Sequence, residues 1–105
     1  MSLDGGKKKN ISGLTYFGAD WCGFCNEFNP TWKKLNKLLK DLSIKTNKID
    51  VDNNKDLVKK YKVKSFPTII YVKKKGKGDY RFEEKQTRNI KNILKFCKKC
   101  HQRDQ

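Results

Sequence analysis

Two cysteines, Cys22 and Cys25, stand with two residues between them where a short strand-forming run gives way to a long helical stripe. That junction limits the chain to folds in which a strand feeds directly into a helix. Residues 14–18, Leu-Thr-Tyr-Phe-Gly, are aromatic and β-branched, the pattern of a buried strand. From residue 24 to about 42, apolar side chains recur at Phe28, Trp32, Leu35, Leu38, Leu39 and Leu42. Steps of three and four predict an amphipathic helix, with Lys33, Lys34, Lys37 and Lys40 on its wet side. Pro30 falls early in that helix and is expected to kink it, because proline removes one ladder donor and crowds the preceding turn.

The rest of the chain continues the alternation. Residues 44–51 carry Ile44, Thr46, Ile49 and Val51 and predict a second strand. Asp52-Asn53-Asn54 suits a helix start, and Leu57, Val58 and Tyr61 supply a short apolar stripe. Residues 68–72, Thr-Ile-Ile-Tyr-Val, are the most strand-like window, with Pro67 limiting its start. Residues 73–78 have hairpin-turn composition, Gly76 and Gly78 being free to take positive φ, and residues 79–82 return as a partner strand. Residues 84–100 predict a closing helix with Ile90, Ile93, Leu94 and Cys97 along one face. The expected class is α/β: a small mixed sheet of about four strands, the first two parallel and the hairpin antiparallel, with helices on both faces. The expected organisation is a flexible basic arm at 1–12, one domain at 13–100 and a polar tail at 101–105.

Composition sets the scale. A chain of 105 residues with 35% apolar content and twelve aromatics allows one modest core. Length or pattern excludes a multidomain assembly, a long coiled coil and a collagen-like rod. Twenty-six Lys and Arg oppose eleven acids for a formal +15, and only three of the twenty-six are Arg. Arginine is the usual residue for bidentate contacts to phosphates and base edges, so sequence-specific nucleic-acid reading is disfavoured. Acidic proteins and polyanions are still attracted at low ionic strength. No stretch reaches the roughly 20 apolar residues of a membrane span, and the first twelve residues lack the apolar segment of a secretory signal. The expected location is the cytoplasm, a reducing compartment, with the nucleus or a particle-associated location left open. Cysteines in such a compartment serve catalysis or metal binding more often than structural disulfides.

Cys22 and Cys25 at a βα turn favour redox chemistry. The turn places the Cys22 sulfur near unpaired backbone N–H groups and the positive end of the helix dipole, where a thiolate is stabilised. Cys25, one turn inside, is shielded and suited to resolving a mixed disulfide. The competing reading is half of a zinc site, completed by Cys97, Cys100 and His101. It is disfavoured because the last helix is expected on a sheet face, away from the ends of the parallel strands. Cys97 continues an apolar stripe and reads as a buried small hydrophobe. Cys97 and Cys100 remain candidate secondary thiols, three residues apart on one helix. The lysine runs at 7–9 and 73–75 read as solvated surface.

The stretch Phe17-Gly18-Ala19-Asp20-Trp21-Cys22-Gly23-Phe24-Cys25, followed by Phe28, Pro30 and Trp32, resembles the active-site segment of the thioredoxin family. The Pro30-Thr31-Trp32 ending leans toward catalytic domains of protein disulfide isomerases. Ile49-Asp50-Val51-Asp52 and Tyr61-Lys62-Val63-Lys64-Ser65-Phe66-Pro67-Thr68 resemble the family's central strand, second helix and cis-proline loop. The resemblance implies a thiol–disulfide oxidoreductase that reduces, forms or exchanges protein disulfides. Cys22 would be the nucleophile and Cys25 the resolving thiol, joined in a redox-active disulfide in the oxidised form. Trp21, Gly23, Phe24, Phe66 and Pro67 would shape the site and bind an extended substrate segment. It implies no cofactor and no metal, protein thiols and disulfides as partners, an electron donor or acceptor protein, and a monomer. The alternative is a redox-weak module on the same fold that docks acidic proteins or nucleic acid through its basic surface.

Three departures accompany the resemblance. Tyr16 stands where family members usually carry a buried acid, five residues ahead of the Trp, and cannot act as the same proton acceptor. Water or Asp20 is the expected substitute. Gly23-Phe24 replaces the Gly-Pro of thioredoxins and the Gly-His of isomerases, bringing neither proline's rigidity nor a titratable cation. The family's N-terminal strand and helix are expected to be truncated or absent.

Overall fold

A computed structural model of the chain describes residues 10–74 and 78–105. In order these form β1 (Gly13–Gly18), α1 (Gly23–Asp41), β2 (Thr46–Asp50), a 3₁₀ turn (Val51–Asn53), α2 (Lys55–Lys60), β3 (Thr68–Val72), β4 (Asp79–Arg81) and α3 (Ile90–Arg103). The four strands make one mixed sheet in the order β2-β1-β3-β4. β1 runs parallel to β2, with Leu14 opposite Thr46 and Gly18 opposite Asp50. β3 is antiparallel to both β1 and β4. The small mixed sheet flanked by helices is the architecture expected from the sequence.

β1 is the axis of the molecule. All six of its residues are buried, because strands flank it on both edges and helices cover both faces. The two faces are read from consecutive side chains, which point to opposite sides of a strand. Tyr16 meets Phe28 and Trp32 of α1, with ring centroids at 5.0 and 5.3 Å. Phe17 meets Tyr61 at the end of α2, at 6.2 Å. α1 and α3 pack against each other. Leu35, Leu39 and Ile93 are fully buried, each stabilising the fold by about 1.5–3 kcal/mol relative to exposure. Among the described residues no helix is long and apolar enough to cross a membrane.

Several boundaries move from their expected places. α1 continues through Pro30, but its buried stripe is Phe28, Trp32, Leu35 and Leu39, while Leu38 and Leu42 are exposed. Leu42 is the C-cap, already beyond the last turn, and Ser43 at φ 59° reverses the chain so that the Ile44 N–H bonds the Leu39 carbonyl at 2.9 Å. α3 begins at Ile90, not at residue 84, because the Asn89 side chain accepts the Asn92 N–H at 2.8 Å and caps the helix there. It ends at Arg103, so residues expected in a polar tail are helical. The Tyr71 hydroxyl and the Lys74 N–H both bond the Asp104 carboxylate at 3.1 Å and dock that end onto β3. Ile11, assigned above to a flexible arm, is buried in the core. The rest of that arm up to residue 9, and Gly76 of the hairpin turn, lie outside the described residues; Gly78 takes φ +115°.

Candidate active site

The parallel pair β1–β2 ends where α1 begins, and the chain crosses that gap at residues 19–22. Cys22 is the N-cap of α1. Its backbone is extended, with φ −90° and ψ 112°, and its sulfur accepts the Cys25 N–H at 3.2 Å. A thiol thus does the work usually done by a Ser or Asp oxygen, and negative charge on the sulfur strengthens the bond. The Cys22 S–H in turn donates to the Phe66 carbonyl at 3.7 Å. Phe66 precedes Pro67 through a cis peptide bond at the start of β3. The helix start and the loop before β3 therefore meet at one sulfur.

Cys25 lies one turn inside α1 and is 1% exposed. Burial pushes its thiol above the ordinary range, and its hydrogen bond with Cys22 adds to the shift; an Ala19 backbone bond and the Tyr16 hydroxyl pull the other way. Tyr16, noted from the sequence for the acid it replaces, stands directly beneath. Its hydroxyl donates to Asn29 Oδ1 at 2.7 Å and lies 3.3 Å from the Cys25 carbonyl oxygen.

The rim around Cys22 is aromatic and open. Trp21 and Phe24 are 65% and 66% exposed on either side of it. Trp21 is held in place: its indole N–H donates to Asp52 Oδ2 at 2.9 Å, and its ring meets Phe66 edge to face at 5.9 Å. Sequence reasoning missed this use of Asp52, taking it only as a helix start. The Asp50 carboxylate holds that turn by accepting from the Asp52 N–H and the Asn53 amide. Gly23 opens α1 with free space where a Cβ would stand.

The other two cysteines are elsewhere. Cys97 and Cys100 are buried on α3. Burial, then the charge of Cys100, pushes Cys97 up to about 12; burial pushes Cys100 up to about 11, partly offset by Arg103. Both are neutral thiols near pH 7. Among the described residues no three His, Cys, Asp or Glu side chains converge as metal ligands would. His101 pairs with the Tyr71 hydroxyl at 3.0 Å.

A dithiol in this setting can form a mixed disulfide at its outer sulfur and close on itself from the inner one. The family model for thioredoxin matches residues 7–99. The chain belongs to the thioredoxin family. Its domain is closely related to the thioredoxin domains of protein disulfide isomerases. It is 36% identical to protein disulfide-isomerase 2-3 of Arabidopsis thaliana over 82% of its own length and 19% of that protein's. The first thioredoxin domain of mouse protein disulfide-isomerase A4 superposes with a TM-score of 0.75 at 31% identity, over 88% of this chain and 64% of that one. Thioredoxin of Fasciola hepatica gives 0.67 at 29% identity, over 82% and 77%. This thioredoxin-family chain spans less than a fifth of the length of the first three curated relatives it matches.

The geometry gives an ordered thiol reactivity. Iodoacetamide at pH 7 is expected to modify Cys22 first: all four cysteines are buried, but Cys22 is 7% exposed against 1% for Cys25, 0% for Cys97 and 4% for Cys100, and those three thiols have raised pKa values. Peptide mass spectrometry at partial modification checks this, and earlier labelling of any other cysteine contradicts it.

Proposed function

We propose that the chain is a thiol–disulfide oxidoreductase acting on protein disulfides through Cys22-Gly23-Phe24-Cys25. The observation that carries this reading is the position of the Cys22 sulfur, at the helix start between the Cys25 N–H and the Phe66 carbonyl. In the reducing direction the Cys22 thiolate attacks one sulfur of a substrate disulfide. A Cys22–substrate disulfide forms, and the other substrate sulfur leaves as a thiolate. Cys25 then loses its proton and attacks Cys22. The Cys22–Cys25 bond forms, and the second substrate sulfur departs with the electron pair. Two electrons pass from the dithiol to the substrate, and a partner thiol protein restores the dithiol. Run backward, the cycle forms or reshuffles disulfides, the partner's potential setting the direction.

The aromatic rim of Trp21, Phe24 and Phe66 would receive apolar substrate side chains, and the backbone beside Pro67 would pair with an extended segment. Next to Pro67 the groove is lined by Lys62, Lys64, Arg81 and Arg88 against one acid, Glu84. That balance favours substrates acidic near their disulfide. The reading places the chain in a reducing compartment such as the cytoplasm, where thiol donors drive the forward cycle.

Insulin reduction with dithiothreitol as the electron source tests the proposal. Wild-type protein is expected to accelerate precipitation of the insulin B chain, and Cys22→Ser protein to match the reaction without protein. Equal rates for the two proteins would refute it.

A further inference from the structure

The cycle above leaves one buried titratable group beside the dithiol without a role. Tyr16 is 1% exposed, its ring fixed by Phe28 and Trp32. The hydroxyl extends beneath the first turns of α1 to Asn29 Oδ1 and the Cys25 carbonyl. Residues 25 and 29 are about one helical turn apart, so the hydroxyl sits under the turn that carries the inner thiol. Gly18 keeps this path open. A Cβ there would come within 2.7 to 2.9 Å of Tyr16 Cε1, Cζ and the hydroxyl oxygen. Only glycine at the end of β1 lets the Tyr16 ring lie along the strand and reach the helix. An interaction between the hydroxyl and the Cys25 thiol also counters the effect of burial on that thiol.

We infer that Tyr16 is the hydrogen-bond donor to the Cys25 sulfur while that sulfur ionises to close the intramolecular disulfide, a role that rests on the oxidoreductase reading. In the mixed disulfide, Cys25 gives its proton to water. The Tyr16 O–H turns from Asn29 Oδ1 to the new thiolate, which attacks Cys22. The Cys22–Cys25 bond forms as the Cys22–substrate bond breaks, and the departing substrate thiolate takes a proton from water. Tyr16 keeps its own proton throughout. Burial, followed by the two cysteine sulfurs, holds the phenol well above its usual range, with Arg88 opposing. Lys48 of β2 also faces it, with Nζ 5.7 Å from the ring centroid. The site therefore stabilises the inner thiolate with a neutral donor, and water takes the proton.

The test reads Cys25 directly. In a Cys22→Ser background, the thiolate ultraviolet absorbance of Cys25 is followed against pH with and without Tyr16→Phe, alkaline unfolding being monitored in parallel. Phenylalanine keeps the ring contacts and removes only the donor, so the Cys25 titration is expected to move upward by about one unit, a tenfold change. In the protein with both cysteines, the same substitution is expected to slow release of substrate from the mixed disulfide about tenfold and leave mixed-disulfide formation at Cys22 unchanged. Gly18→Ala, which retains the hydroxyl but displaces it, is expected to shift the titration in the same direction. An unchanged Cys25 titration in Tyr16→Phe protein that melts like its parent would overturn the inference. If wild-type protein fails to reduce insulin, the oxidoreductase reading falls, while the Cys25 titration still judges the contact with Tyr16.

Discussion

Cys25→Ser protein is expected to stop at the mixed disulfide, with turnover on insulin reduced on the order of a hundredfold or more. The first attack survives the substitution. The group that supports the Cys22 sulfur is the backbone N–H of residue 25, at 3.2 Å, and serine keeps that N–H. The second attack does not survive, because a serine hydroxyl does not displace a thiolate from a disulfide. Intramolecular attack by Cys25 benefits from its fixed position one turn along α1, whereas release by an external thiol must find Cys22 in solution. The protein should therefore accumulate as a covalent adduct, visible as a mass increase equal to one substrate thiol and reversed by excess dithiothreitol. The adduct should map to Cys22 and be absent from a Cys22→Ser, Cys25→Ser protein. Adduct on Cys97 or Cys100 would instead show that the α3 thiols open to solvent.

Much of this site was legible before the structure because its chemistry sits in consecutive residues. Cys22, Cys25 and the strand-to-helix junction lie within one stretch, and a period change from extended to helical marks where the sulfur must be. Phe66 and the Pro67 that follows it were legible only through resemblance, since Phe66 reaches Cys22 across 44 residues. The anchoring of Trp21 by Asp52 spans 31 residues and has no local signature. Helix ends were the least legible. Just past the C-caps of α1 and α2 the chain turns at Ser43 and Lys62, both at positive φ, where glycine is the usual signal. The chain turns there because the following N–H groups of Ile44 and Val63 bond the Leu39 and Val58 carbonyls, each at 2.9 Å. Burial of Ile44 and Val63 then offsets the strained backbone. Such a stop is set by what the next residue packs against, which local composition does not display.

Gly13→Ala is expected to be the most damaging single-methyl change in the chain. Glycine 13 opens β1 at φ +88°, a conformation that costs an L side chain about 1–2 kcal/mol. The added Cβ would also overlap the Lys45 carbonyl, which is backbone and cannot rotate away. That carbonyl accepts the Leu14 N–H at 2.9 Å and starts the register in which Leu14 faces Thr46. Relief of the clash therefore pulls the start of β1 from its partner, on a strand whose six residues are all buried. The combined loss should be about 2–4 kcal/mol, lowering Tm by roughly 10–20 °C for a domain of this size. Gly23→Ala supplies the contrast. It adds the same methyl at the first residue of α1, where a Cβ meets nothing within 4 Å and φ is not positive. There the lost freedom of the unfolded chain should stabilise the protein by about 0.4–1 kcal/mol. Thermal unfolding of the two variants beside wild type checks the pair. A Gly13→Ala protein that melts within two or so degrees of wild type would mean that β1 tolerates a different start.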